Sequence, residues 1–144
     1  MFSVKLVNSD SLLQKAFAIR EEVFIVEQEV ARDEEFDEFE SNSFHFVALD
    51  EKELPIGASR WRRTENGIKL ERFAVKKDWR GKGVGSALVK ETLDHIQKEA
   101  EQGTKLYLHA QLDAIPLYEK FGFEKKGDMF EECSILHYLM QKSL

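Results

Sequence analysis

Seven consecutive residues, Arg80-Gly81-Lys82-Gly83-Val84-Gly85-Ser86, combine alternate glycines with two cations and a hydroxyl. An apolar strand pattern, Leu70 to Val75, precedes them, and a long amphipathic pattern follows. A glycine-rich turn that opens a helix aims several backbone N–H groups at one spot. The helix dipole reinforces them, so the chemistry on offer is anion binding, phosphate above all. Side chains at 81, 83 and 85 would stand between that backbone and the phosphates, which gives glycine a reason to be there. A Walker A loop requires Gly-Lys followed by Ser or Thr, and here Gly83 follows Lys82. A Rossmann loop turns straight off its first strand. Here Lys76-Lys77-Asp78-Trp79 intervene, and Ser86 stands where the third glycine belongs. The pattern that fits is Arg-x-x-Gly-x-Gly, at Arg80, Gly83 and Gly85.

A second stretch, Gln111-Leu112-Asp113-Ala114-Ile115-Pro116-Leu117-Tyr118-Glu119-Lys120-Phe121-Gly122-Phe123, follows one helix and one strand later. Together the two resemble the GNAT superfamily of acetyl-CoA-dependent N-acyltransferases. Arg80, Gly83 and Gly85 match its pyrophosphate loop. Ala114, Tyr118, Lys120, Gly122 and Phe123 match its Asn-x-x-Ala-x-x-x-Tyr-x-Lys-x-Gly-Phe segment, with Gln111 in place of the usual Asn. Arg20-x-x-Val23-Phe24-x-x-Glu27-Gln28 and His137-x-x-Met140-x-Lys142 resemble the start and end of a subgroup of small bacterial members. The resemblance implies a mixed α/β fold whose central sheet splays between two parallel strands. It implies that Phe73, Ala74 and Val75 bind the pantetheine arm of acetyl-CoA through backbone groups. The amides of Arg80, Gly81, Lys82, Gly83, Val84, Gly85 and Ser86 would hold the pyrophosphate, with Gln111, Ala114 and Tyr118 completing the cofactor side. It also implies direct acetyl transfer to a primary amine, with no metal.

Transfer of this kind sets its own requirements. The attacking amine must be neutral, so a base removes its proton. The tetrahedral oxyanion needs an N–H donor, which the backbone near Val75 could supply. The leaving thiolate needs a proton, and Tyr118 occupies the general-acid position of the family. His137 is the first candidate for the base, on the strength of its His-x-x-Met-x-Lys setting and because a neutral imidazole suits the task. Glu71 is the second, sharing a strand face with Phe73 and Val75 by alternation, and His109 the third. His45 reads as core strand and His95 as helix surface. Cys133 has no evident activating partner and is set aside as a nucleophile. Two rival readings stand beside this one: a non-catalytic sensor that binds CoA or acetyl-CoA on the same fold, and a nucleotide or phosphate module unrelated to CoA.

The elements that must position these residues are legible in outline. Residues 2–7 read as a strand. Asn8-Ser9-Asp10 signals a helix start, and helical spacing runs from about Ser11 to Phe24. Glu27 to Glu40 is acidic and reads as a loop with a short helix. Strands are expected at 44–49, 56–62 and 68–75, the last two joined by a hairpin at Asn66-Gly67. A long helix follows the glycine loop, with Gly85, Val89, Leu93, Ile96 and Ala100 as its apolar stripe and Gly103 as its stop. Leu106 to Ala110 reads as a strand parallel to the 68–75 strand, by the right-handed crossover rule. A short helix over 114–121, with Pro116 in its first turn, ends at Gly122. Strands at 123–126 and 134–140 finish the chain, with Gly127-Asp128 in the turn between them.

Composition bounds the rest. The 144 residues suit one domain with a real core. A charged content of 33% beside 42% hydrophobic residues suits a soluble globular protein. No apolar run approaches a membrane span, and the start lacks the features of a signal peptide. A single cysteine fits a reducing, cytoplasmic setting. The net charge of −6 argues against general nucleic-acid binding. Acidic residues crowd 27–40 and basic ones 60–90, which suits an anionic cofactor at one end; a charge run is more often a solvated face. The expected acceptor is a small-molecule amine, and a homodimer is compatible with the chain.

Overall fold

The computed structural model describes residues 1–144. Seven strands form one sheet in the order β1-β2-β3-β4-β5-β7-β6. They are β1 (Phe2–Leu6), β2 (Phe44–Asp50), β3 (Pro55–Thr64), β4 (Gly67–Val75), β5 (Lys105–Gln111), β6 (Glu124–Glu132) and β7 (Ile135–Ser143). The helices are α1 (Asp10–Arg20), α2 (Arg32–Glu35), α3 (Val84–Glu99) and α4 (Ile115–Lys120). No helix is long and apolar enough to cross a membrane.

Both faces of the sheet are covered, which explains the nearly unbroken apolar run of β2. Phe46 and Ala48 join the core beneath α3, with Trp61, Leu70, Leu88, Ile96 and Leu106. Val47 and Leu49 join a second core beneath α1, with Ala16, Ile19, Ala58 and Ala74. On α3 the buried line is Val84, Leu88, Thr92 and Ile96, flanked by Val89, so the apolar stripe lies about one residue from the expected one. The buried Thr92 hydroxyl is satisfied by the Leu88 carbonyl at 2.7 Å and the Ser59 hydroxyl at 2.9 Å.

The decisive feature is where β4 and β5 part. They pair in parallel only at Ile68↔Leu106 and Lys69↔Tyr107. Beyond Lys69 the strands separate, leaving the expected V-shaped slot. A β-bulge assists the separation. Ala58 pairs with Ala74 and Arg60 with Glu71, so Arg72 and Phe73 oppose Ser59 alone, and Arg72 adopts φ 62. That bulge breaks the simple alternation assumed for Glu71, Phe73 and Val75. At the closed end of the slot, Gly67 has φ 129, and a Cβ there would lie 2.5 Å from the Lys105 carbonyl oxygen.

Four local expectations need correction. The first helix continues past Arg20 as a π-helical run, Glu21–Glu27, closed by Gln28 N–H donating to the Val23 carbonyl at 3.0 Å. The hairpin after β3 turns through Glu65 and Asn66, with Gly67 opening β4. Helix α3 ends at Glu99 with an extended Ala100. Gly103 serves instead in the turn before β5, where its N–H meets the Leu144 carbonyl at 2.7 Å. The last hairpin turns at Cys133-Ser134, both at positive φ, while Gly127 sits in an irregularity within β6.

Candidate active site

The glycine loop opens α3 as its sequence demands. Gly81 and Gly83 have φ 78 and 88, and a Cβ on either would meet no protein atom within 4 Å. Their Cβ positions therefore point into open space. Gly83 caps α3 with no side-chain bond, so the first-turn N–H groups are free donors. Gly85 is different: its φ is ordinary, and a Cβ would make plain contact with Leu117 at 3.4 Å.

These residues line a cleft of about 600 Å³ in the open part of the slot. Phe73, Ala74, Val75, Arg80, Gly81, Gly83, Gly85, Ser86, Ala114 and Tyr118 all border it. Val84 does not, because its side chain is buried in the α3 core. Lys82 packs its ammonium over the Trp79 ring at 5.2 Å. Arg80 reaches across the cleft, making a two-pronged pair with Glu27 at 2.6 and 2.7 Å and donating to the Val75 carbonyl at 3.0 Å. Arg80 in turn holds the Glu27 carboxyl below its usual range.

A second cavity of about 160 Å³ adjoins the cleft, and Gln28, Phe73, Ala114 and Tyr118 belong to both. Tyr118 is 6% exposed, packed edge-on against Phe73 and Phe123. Its hydroxyl bonds to no protein group. Burial, aided by Asp113, pushes its pKa well up, so the phenol keeps its proton. Gln111 borders the second cavity rather than the cleft, and its amide exchanges two hydrogen bonds with Gln28, at 3.0 and 3.3 Å.

His137, Glu71 and His109 also line this second cavity. His137 is 6% exposed, and its Nδ1 lies 2.7 Å from the Ile135 carbonyl. A carbonyl only accepts, so Nδ1 carries a proton, which leaves Nε2, with no protein partner, as the nitrogen that holds the lone pair in the neutral ring. Glu71 is placed otherwise. It is buried and takes Arg60 at 2.6 Å, Arg62 at 2.7 Å and Lys69 at 3.4 Å. Burial opposes its charge, but Arg60, Lys69 and Arg72 outweigh burial and hold the carboxyl at about 2. His109 has its Nδ1 3.0 Å from Glu132, and the Phe130 ring packs against both His109 and His137.

The remaining sequence candidates have other settings. His45 is buried and donates Nε2–H to the Glu40 carbonyl at 2.8 Å. His95 is half-buried against Phe44, Phe46 and Trp61, and its Nδ1 accepts from the Trp61 indole at 3.1 Å, so it is not a plain surface histidine. Cys133 is half-buried with its thiol 3.3 Å from Glu34, and burial together with that bond pushes it up to about 11. No group of three or more His, Cys, Asp and Glu lies close enough together to hold a metal ion.

The acidic 27–40 segment is only in part a solvated face: Glu27, Glu29, Asp33, Glu34 and Glu38 are exposed, while Glu35, Asp37 and Glu40 turn inward. Arg20, fully buried, takes Glu35 at 2.6 Å and Glu40 at 2.7 Å. Arg60, also fully buried, takes Asp37 at 2.7 Å and Glu40 at 2.8 Å, and Arg72 takes Glu35 and Asp37. These pairs bind the segment over the second cavity, whose wall includes Glu34 and Glu35. Sequence reasoning missed Glu27 and Gln28 as site residues. Their signal was the Glu27-Gln28 ending of the entry-helix pattern, which the π-helical run turns toward the slot.

The model of the acetyltransferase (GNAT) domain matches residues 10–144. The chain belongs to the GNAT acetyltransferase family. Among relatives of this GNAT acetyltransferase, the Bacillus subtilis protein named uncharacterized N-acetyltransferase YjcF is 39% identical over 95% of this chain and 96% of its own length. The crystal structure of Escherichia coli ElaA shares the fold at a TM-score of 0.86 and 22% identity, covering 99% of each chain. An aminoglycoside 6'-N-acetyltransferase solved with coenzyme A shares it at 0.74 and 13% identity, over 99% of this chain and 96% of that one. The mixed α/β GNAT fold expected from the sequence is thus borne out, splayed strands included.

Proposed function

We propose that this acetyltransferase uses acetyl-CoA as donor and moves its acetyl group directly to the primary amine of a small molecule. The observation that carries the reading is Tyr118. Its unpartnered hydroxyl stands on the wall shared by the cofactor cleft and the cavity that holds the open Nε2 of His137. The cleft suits the donor: the free first-turn N–H groups of α3 and the open Gly81-Gly83 cradle would take its pyrophosphate. The backbone of Phe73 to Val75 would run beside its pantetheine arm. The coenzyme A complex of the aminoglycoside enzyme, on the same fold, supports that assignment. Bound there, acetyl-CoA supplies an activated thioester carbonyl.

The protein's own groups supply the rest. His137 Nε2 takes the proton that the acceptor amine must lose. Glu71 is the weaker base, because a carboxyl held at about 2 by arginines has little affinity for a proton. Backbone N–H groups at the β4 bulge meet the negative charge that develops on the carbonyl oxygen. Tyr118 donates its proton to the departing sulfur as the new amide bond forms and the C–S bond breaks. The proton on His137 then returns to solvent or to the tyrosinate. Thermal shift with CoA, acetyl-CoA, ATP and NAD tests the donor assignment. Stabilisation by the two CoA species is expected, and stabilisation by ATP or NAD alone would refute it.

A further inference from the structure

The cavity beside Tyr118 has an unequal distribution of charge. Its inner wall contributes Glu35, Lys69, Glu71 and Arg72 to an ion-pair network that Arg20, Arg60, Arg62, Asp37 and Glu40 complete from outside the cavity. Every carboxylate there is matched, and cations are in slight excess. The rim is the reverse. Glu34 and Glu132 both line the cavity and both are exposed, yet neither pairs with Lys or Arg. The Glu34 carboxylate accepts only from the Cys133 thiol at 3.3 Å. Burial and that contact keep the thiol protonated, so it adds no charge. Glu132 has only the His109 imidazole, at 3.0 Å. Deeper in the same cavity stand two groups without protein partners, the Tyr118 hydroxyl and His137 Nε2, each on a residue 6% exposed. Two ends of one cavity therefore ask for different things. The inner end offers a base and an acid among matched charges, which suits a neutral amine. The rim offers two carboxylates that no Lys or Arg pairs directly.

We infer that the acceptor is a diamine or longer polyamine, whose neutral amine meets His137 and Tyr118 while a second, protonated amine is held by Glu34 and Glu132. This rests on the acetylation reading above and goes beyond it by naming the acceptor class. An α-amino acid fits worse, because its carboxylate would pass two unmatched carboxylates at the rim. A monoamine fits the inner end alone and leaves the rim empty.

The test is thiol release from acetyl-CoA with short α,ω-diamines, monoamines of matched length and α-amino acids. It uses the wild type, Glu34→Gln, Glu132→Gln and the double variant. Two charge-assisted contacts at an exposed rim should give diamines about a tenfold advantage in kcat/KM over monoamines. That advantage should sit mainly in KM, weaken as salt rises, and shrink to about twofold in the double variant. Equal use of monoamines, a preference for amino acids, or a diamine advantage that survives in the double variant would overturn the inference. The melting shift produced by CoA reports separately on folding and on the donor site. If CoA binds and another amine class is acetylated, only the acceptor assignment falls. If CoA neither binds nor forms with any amine, the underlying reading falls with it.

Discussion

Replacing Glu71 by Gln separates a structural carboxylate from a catalytic base. The side chain takes Arg60, Arg62 and Lys69 within 3.4 Å and is buried. Its carboxyl titrates at about 2 when folded, against 4.5 as the ordinary value. That difference favours the folded, ionised state by about 3 kcal/mol. Breaking a buried ion pair from one side costs about 3–5 kcal/mol, which agrees. For a chain of this size, about 3 kcal/mol lowers Tm by roughly 10 °C. The pH dependence has a definite sign. The folded pKa lies below the unfolded one, so the contribution is complete above 4.5 and is lost as pH falls through about 2. Melting curves of both proteins should lie furthest apart above about pH 5 and converge on acidification. An unchanged Tm would refute the structural assignment. A fully stable variant with lost turnover would restore Glu71 as the base.

Further substitutions probe the slot and its chemistry. Glu27→Gln removes a carboxylate that clasps Arg80 across the cleft. It should tighten CoA binding by up to about fivefold, the scale of an exposed ion pair, as read by calorimetry; weaker binding would show that the clasp supports the bound state. His137→Gln should flatten the acid limb of the pH–kcat/KM profile while leaving CoA affinity in place, and an unaltered profile would exclude His137 as the base. Gly67→Ala would drive a Cβ to 2.5 Å from the Lys105 carbonyl at φ 129. It should cost about 2 kcal/mol or more in urea denaturation, because β4 and β5 pair at only two positions there.

What the sequence made legible was local or periodic. The glycine loop and its helix and the three antiparallel strands could be read because each depends on neighbours a few residues away, and the parallel crossover because strand, helix and strand leave one favoured handedness. The acidic 27–40 segment could not be placed, because the residues that neutralise it, Arg20, Arg60 and Arg72, are scattered along the chain. The last hairpin misled for a different reason. Gly127 attracts a turn assignment, yet the turn falls on Cys133 and Ser134, which tolerate positive φ only because the β6–β7 register imposes it. Alternation along β4 likewise fails at Arg72, where a bulge no residue type announces offsets Phe73 from Glu71. At the site, the residues the motifs singled out, Arg80, Gly81, Gly83, Gly85 and Ser86, line one cleft with Phe73, Ala74 and Val75. Whether Glu71 was free or locked depended on Arg60, on the next strand, and only the folded register shows it.

Turnover of Tyr118→Phe in a thiol-release assay with acetyl-CoA and an accepted amine tests the proposed role of Tyr118 most directly. The substitution keeps the packing against Phe73 and Phe123 and removes only the hydroxyl. Loss of a general acid predicts a fall in kcat of about 10²–10⁴-fold, with CoA affinity within about twofold of wild type. A variant that turns over as fast as the wild type would contradict the claim that this hydroxyl protonates the leaving thiolate.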